Sequence, residues 1–157
     1  GMREAIGRFS RDGMPIYAEC GGFMYLCREL EDGAGTVHPM CGCFPFRSRM
    51  HSKLRSLGYR EVQLRADTLL GKKGQTLRGH EFHYSALADA PASQAVETVY
   101  SAGSRSGRQS KAEGYLVHRT LGSYIHLHFG SRPQCAEAFV HECRQYQDHR
   151  RAGHETQ

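Results

Sequence analysis

No stretch of the 157-residue sequence approaches the run of about eighteen apolar residues that a membrane-spanning helix requires, and no secretory leader is visible. A membrane partner is therefore excluded, and a cytoplasmic setting is expected. The glycine loop closed by lysine that cradles nucleotide phosphates is also missing, which puts any ATP-dependent step outside this chain. Apolar residues are in short supply as well. They make up 39% of the chain, and the mean hydropathy is −0.60. At 157 residues the chain is long enough for one core and too short for two ordinary domains, and it is expected to leave apolar surface for a partner to cover.

Paired metal-ligand spacings are absent too. The six cysteines, at positions 20, 27, 41, 43, 135 and 143, form no pair of Cys-x-x-Cys units. His38-Pro39-Met40-Cys41-Gly42-Cys43 has a superficial metal-loop look, yet a closed zinc site needs four ligands and no second pair stands ready. No metal is expected. Cys27 and Cys143 fall on apolar helical stripes, which suits reduced cysteines. The net charge is +5. The densest basic groups, Arg47, Arg49, Lys53 and Arg55 with Arg105, Arg108 and Lys111, carry no nucleic-acid motif, so a solvated surface is expected rather than a nucleic-acid partner.

What is present is concentrated at Pro15-Ile16-Tyr17-Ala18-Glu19-Cys20-Gly21-Gly22-Phe23-Met24-Tyr25-Leu26. Apolar residues lead into a small-residue turn, and a helix-period run follows. A cysteine nucleophile is mounted this way, with Ala18, Gly21 and Gly22 leaving room at a strained reversal. A thiol at a helix N-terminus also gains some thiolate character. About a hundred residues on comes Ser123-Tyr124-Ile125-His126-Leu127-His128-Phe129. Strand alternation puts Tyr124, His126 and His128 on one face and the apolar residues on the other. The two imidazoles would sit roughly 6.5 Å apart, so only one can serve as a base for Cys20.

The remaining pattern reads as α/β. A short helix is expected over 3–11 with Ile6 and Phe9 inward, then a strand over 14–18. A helix over 22–31 would carry Phe23, Leu26, Cys27 and Leu30 on its stripe. Residues 36–56 are irregular, with short strands around 40–46. Strands are expected over 59–64, 79–85, 96–100, 114–118 and 124–129, and a flexible loop over 102–112. A last helix starts at Ser131, with Gln134 completing a capping box, and buries Ala136, Phe139, Val140 and Cys143. Residues 148–157 read as a frayed tail. Glu81 and His83 share one strand face, with His80 opposite.

Taken in order, Ala18–Leu26, Leu57-Gly58-Tyr59-Arg60, Leu77–Ser85 and Ser123–Phe129 strongly resemble the C-terminal glutaminase domain of the cobyrinic acid a,c-diamide synthases, within the class I glutamine amidotransferase-like superfamily. The resemblance spans about 14–136. It implies a partial flavodoxin-like, three-layer domain with a mixed sheet over residues 1–147. It also implies that Cys20 is the nucleophile and His126 its base, with His128 the alternative. Gly21, Gly22, Glu81 and His83 would form the oxyanion and substrate-binding surroundings. Glutamine is the implied substrate, and the ammonia would serve ATP-dependent amidation of a corrinoid, with ATP and Mg2+ held by a synthetase domain. Basic loops would help draw in that polycarboxylate, and related synthases act on other tetrapyrroles.

Two departures matter. The triad glutamate two residues after the histidine is replaced by His128, as in the cobyrinate branch. The elbow also begins about fifteen residues into the chain, so the front of the domain is expected on another segment or chain. A non-catalytic, partner-binding remnant is the competing expectation, and an uncovered sheet edge would favour a homodimer.

Overall fold

The computed structural model describes residues 1–89, 96–104 and 110–155. Helix α1 (Met2–Arg11) leads through the Asp12-Gly13 turn into strand β1 (Ile16–Glu19) and the short helix α2 (Gly21–Leu26). Four strands follow: β2 (Cys27–Glu31), β3 (Val37–Pro39), β4 (Phe44–Met50) and β5 (Ser56–Leu64). Strands β6 (Thr76–His83), β7 (Ser85–Asp89), β8 (Glu97–Ser104) and β9 (Ser110–Val117) come next. Strands β10 (Thr120–Ser123) and β11 (Ile125–Leu127) precede helix α3 (Gln134–Glu155).

A seven-stranded mixed sheet runs β1-β10-β9-β8-β5-β6-β11, and a four-stranded sheet runs β3-β2-β4-β7. The domain is α/β, and among the described residues only β1–β10 and β2–β4 pair in parallel. One residue, Tyr124, separates β10 from β11. The two ends of the large sheet therefore come back together at that point. Glu113 fixes the break. Its buried carboxylate accepts the Ser123 hydroxyl at 2.6 Å and the Tyr124 N–H at 2.8 Å. Burial raises this carboxyl above its ordinary value against those same hydrogen bonds.

Several expectations change here. The helix predicted over 22–31 stops at Leu26, and Cys27–Glu31 becomes β2. The helical spacing of Cys27 and Leu30 was overridden by pairing on both edges, reinforced by Arg47 on Glu29 and Arg49 on Glu31, each at 2.9 Å. The single strand expected over 124–129 is divided, and Tyr124 turns inward against Phe23 and His83 rather than joining His126. Ser131 does not cap α3. Its hydroxyl donates to the His128 carbonyl and accepts the Arg78 N–H. Helix α3 continues to Glu155, where a frayed tail was expected, and Val140 on its predicted stripe is 45% exposed. Residues 102–104 and 110–112 of the expected loop are strand, in β8 and β9, and the rest of it, with Arg105 and Arg108, lies outside the described residues.

Two apolar clusters hold the fold. One lies against the large sheet around Val62, Leu64, Leu77, Tyr100, Leu121 and Ile125. The second packs Phe23, Leu26, Phe44, Phe46 and Tyr124 between the sheets. Phe23 is its centre, stacked on Tyr115 and edge-on to Phe44 and Tyr124. Burying such a side chain is worth about 1.5–3 kcal/mol, and here it anchors α2 directly behind Cys20.

Candidate active site

Strand β1 ends at Glu19, and Cys20 turns the chain into α2 with φ 48° and ψ −107°. Among the described residues only Cys20 and His118 combine a side chain with a positive φ. Such a conformation costs on the order of 1–3 kcal/mol and persists where its surroundings fix it. Here the Cys20 N–H donates to the Ser123 carbonyl at 2.7 Å, and the Cys20 carbonyl accepts the Met24 N–H at 3.0 Å. The strain therefore sits on the cysteine itself. The crowding expected around it holds at Gly22, where a β-carbon would lie 3.4 Å from Ala18 Cβ, and fails at Gly21, where it would meet nothing within 4 Å.

Burial raises the Cys20 thiol above its ordinary value; the Gly21 N–H opposes this, and the Glu19 and Glu81 carboxylates add to it. The thiolate preference expected from a helix N-terminus is thus outweighed, first by burial and then by the two nearby anions. The resting group is a thiol, which attacks a carbonyl only after a base takes its proton. Among the described residues its hydrogen bond goes to the Phe82 carbonyl at 3.9 Å.

The imidazole comes from the other end of the sheet. On β11, His126 pairs in register with His80 on β6. A β-carbon on Gly79 would lie 2.4 Å from the His126 carbonyl oxygen, so glycine is what lets β11 lie this close. The His126 ring stacks on His80 with centroids 4.9 Å apart, and its Nδ1 lies 3.4 Å from Glu19 Oε2. Glu19 Oε1 accepts the Tyr17 O–H at 2.5 Å and the Leu127 N–H at 2.8 Å. Glu19, next to the cysteine, thereby ties β1 to β11. His128 lies beyond β11, exposed, its ring beside Gly130. The structure brings His126 to the elbow and leaves His128 outside it.

Glu81 and His83 share a face as expected, and both side chains are buried. Glu81, 0% exposed, accepts Arg60 Nε and Lys111 Nζ, each at 2.7 Å, and meets His83 Nε2 at 3.0 Å. His83 Nδ1 faces the Ser85 carbonyl at 2.7 Å. Burial alone would raise the Glu81 carboxyl; hydrogen bonds from His83 and Lys111, with the Lys111 charge, reverse that and hold it well below the usual carboxylate range. The same strands border an open cleft of about 370 Å³ lined by Leu57, Gly58, Tyr59, His80 and Glu81.

Glu19, His80 and Arg60 all lay inside recognisable sequence motifs yet carried no assignable role. Arg60 and Glu81 are 21 residues apart, and Glu19 and Leu127 are 108 apart. The only local hint for Glu19 was its place beside the cysteine. The basic patch suggested for a polycarboxylate is partly consumed, since Arg47, Arg49 and Lys111 pair with Glu29, Glu31 and Glu81.

Comparison with known proteins matches residues 1–134 to the CobB/CobQ-like glutamine amidotransferase domain. The chain is 44% identical over 143 residues to cobyrinate a,c-diamide synthase of Syntrophotalea carbinolica, covering 91% of this chain and 31% of that protein. It is 41% identical over 131 residues to cobyrinate a,c-diamide synthase of Salmonella typhimurium, covering 82% of this chain and 28% of that one. The chain thus spans about 30% of the length of these curated relatives. Among solved structures, a glutamine amidotransferase from Thermotoga maritima superposes with a TM-score of 0.52 at 13% identity, over 93% of this chain and 55% of that one. That likeness concerns the fold alone, but with the family match and the close relatives it completes the assignment: the chain belongs to the CobB/CobQ-like glutamine amidotransferase domain family.

Proposed function

We propose that this chain is the glutaminase part of a cobyrinate a,c-diamide synthase, releasing ammonia from glutamine through Cys20 and His126. The observation that carries the proposal is the strained backbone at Cys20, φ 48°, with His126 held against Glu19, the residue before it. The thiol leaves the Phe82 carbonyl and gives its proton to His126 Nε2, and the thiolate adds to the glutamine side-chain amide carbon. The oxyanion that forms faces the Gly21 N–H. The C–N bond then breaks, His126 returns the proton to the departing ammonia, and water cleaves the thioester to glutamate. Glu81 and His83 act as a buried ionic floor under this site.

Ammonia would pass to carboxylates of a corrinoid or a related tetrapyrrole. That amidation, with its ATP and Mg2+, belongs to the other two thirds or so of the relatives' length. Leu57, Tyr59, Phe82 and Tyr84, respectively 67%, 80%, 48% and 41% exposed beside the elbow, offer the apolar face such a partner would cover. Glutamate release by the purified chain, alone and with the remaining part of the synthase supplied, tests the reading. Release that Cys20→Ser abolishes is expected. No release under either condition would make the chain a non-catalytic partner module.

A further inference from the structure

The sequence offers no carboxylate two residues after His126, and a Cys–His pair without a third member was the expectation. The structure supplies a carboxylate from elsewhere. Glu19 reaches across the join between the two ends of the large sheet and places Oε2 3.4 Å from His126 Nδ1. Its other oxygen is held by the Tyr17 hydroxyl and by the N–H of Leu127, the residue after the histidine. His80 stacks on the ring with an interplanar angle of 13°. The imidazole is therefore fixed in plane by a ring, in position by a backbone clamp, and at one nitrogen by an anion.

We infer that Glu19 is a positioning residue that does the work of a triad carboxylate, delivered from the residue before the nucleophile instead of from the histidine's own strand. The inference rests on the glutaminase reading above and deepens it. Nδ1 stands at ion-pair distance from Glu19 Oε2, and an Nδ1–H held toward that carboxylate during the reaction leaves the lone pair on Nε2. When Nε2 takes the Cys20 proton, the ring becomes an imidazolium, and the Glu19 carboxylate faces the new positive charge. The carboxylate itself gains no proton. When that proton goes to ammonia, the ring returns to the same tautomer. The geometry also explains why one residue serves both folding and chemistry: the oxygen that clamps Leu127 sets the height of β11, and the other orients the ring.

The two roles separate by substitution. Glu19→Gln keeps an acceptor for Tyr17 and Leu127 and removes the charge; Glu19→Ala removes both. Three readouts apply to each variant and to His126→Ala: thermal melting, the rate at which iodoacetamide alkylates Cys20 at neutral pH, and kcat and KM for glutamine. Glu19→Gln is expected to melt like the parent while its alkylation rate and kcat fall about tenfold to a hundredfold, with KM little changed. A fully buried triad carboxamide loses more, about ten-thousandfold, and this pair is partly open to solvent. Glu19→Ala is expected to lose melting temperature as well. Parental rates in Glu19→Gln, with His126→Ala slowed, would overturn the inference for Glu19 and leave the Cys20–His126 reading standing. Parental alkylation in His126→Ala would remove the base itself, and the role of Glu19 with it.

Discussion

The two halves of β6 follow opposite rules. From Thr76 to Gly79 the strand is ordinary, with Leu77 in the core and Thr76 and Arg78 outside. From His80 to His83 the polarity inverts: Glu81 and His83 are buried, while Phe82 is 48% exposed. Alternation is kept throughout, so the backbone is equally regular in both halves. What differs is which side chains point where, and the inverted half is the one that meets Cys20 through the Phe82 carbonyl. A strand that buries its charges and exposes its aromatics violates the local pattern, and such violations collect at working sites. The ordinary half supports the fold; the inverted half supports the elbow and presents a face.

Removing the charge from the inverted half should have the largest effect on stability. Glu81→Ala leaves the buried His83 and the partly buried Arg60 without their anion, and about 3 kcal/mol should be lost in urea unfolding. That is the lower end for a broken buried pair, since Lys111 is 52% exposed and can turn to water. The pH dependence has a definite sign. The folded Glu81 carboxyl lies below its ordinary 4.5, so its stabilisation is complete above that value. It is lost as pH falls further, through the folded value. Glu81→Gln should therefore show a shallower acid limb than the parent, and an unchanged limb would count against the ionic floor.

In the ordinary half, Gly79→Ala should cost about 2 kcal/mol, because its β-carbon would meet the His126 carbonyl and Ile125 Cγ2, at 2.4 and 2.9 Å. Thermal melting checks that loss. Glutaminase activity should fall with it, since the strand that carries His126 must move. Smallest of all, Tyr59→Ser beside the inverted half should shift the stability of the chain by no more than about 0.5 kcal/mol, as Tyr59 is 80% exposed. The same change should weaken binding to the rest of the synthase, measured with the two parts mixed. A large melting shift here would show that the aromatic face is part of the core instead.

Much of the site was readable along the chain because its signals are local. The turn around Cys20 announces itself through neighbours within four residues, and the strand that carries His126 through its alternation. Cys27–Glu31 was misread for the opposite reason: its apolar spacing fits a helix, and only pairing with β3 and β4 makes it a strand. Tyr124 was placed beside His126 because alternation assumes an unbroken strand, whereas Glu113 holds a break there from ten residues away in sequence. Resemblance to relatives favoured His126 over His128 as the proposed base; the fold adds that Glu19 reaches His126, whereas His128 is exposed beyond β11.

The sequence by itself determined the α/β class, the cysteine-bearing turn and the family, because each depends on residue types at short or ordered spacings. Only the tertiary structure decided that Glu19 faces His126, that Glu81 is caged by three cationic or ring groups, and that β6 changes polarity halfway along. Those facts depend on which distant strands become neighbours when a rolled sheet brings its two ends together, and no local preference encodes that closure.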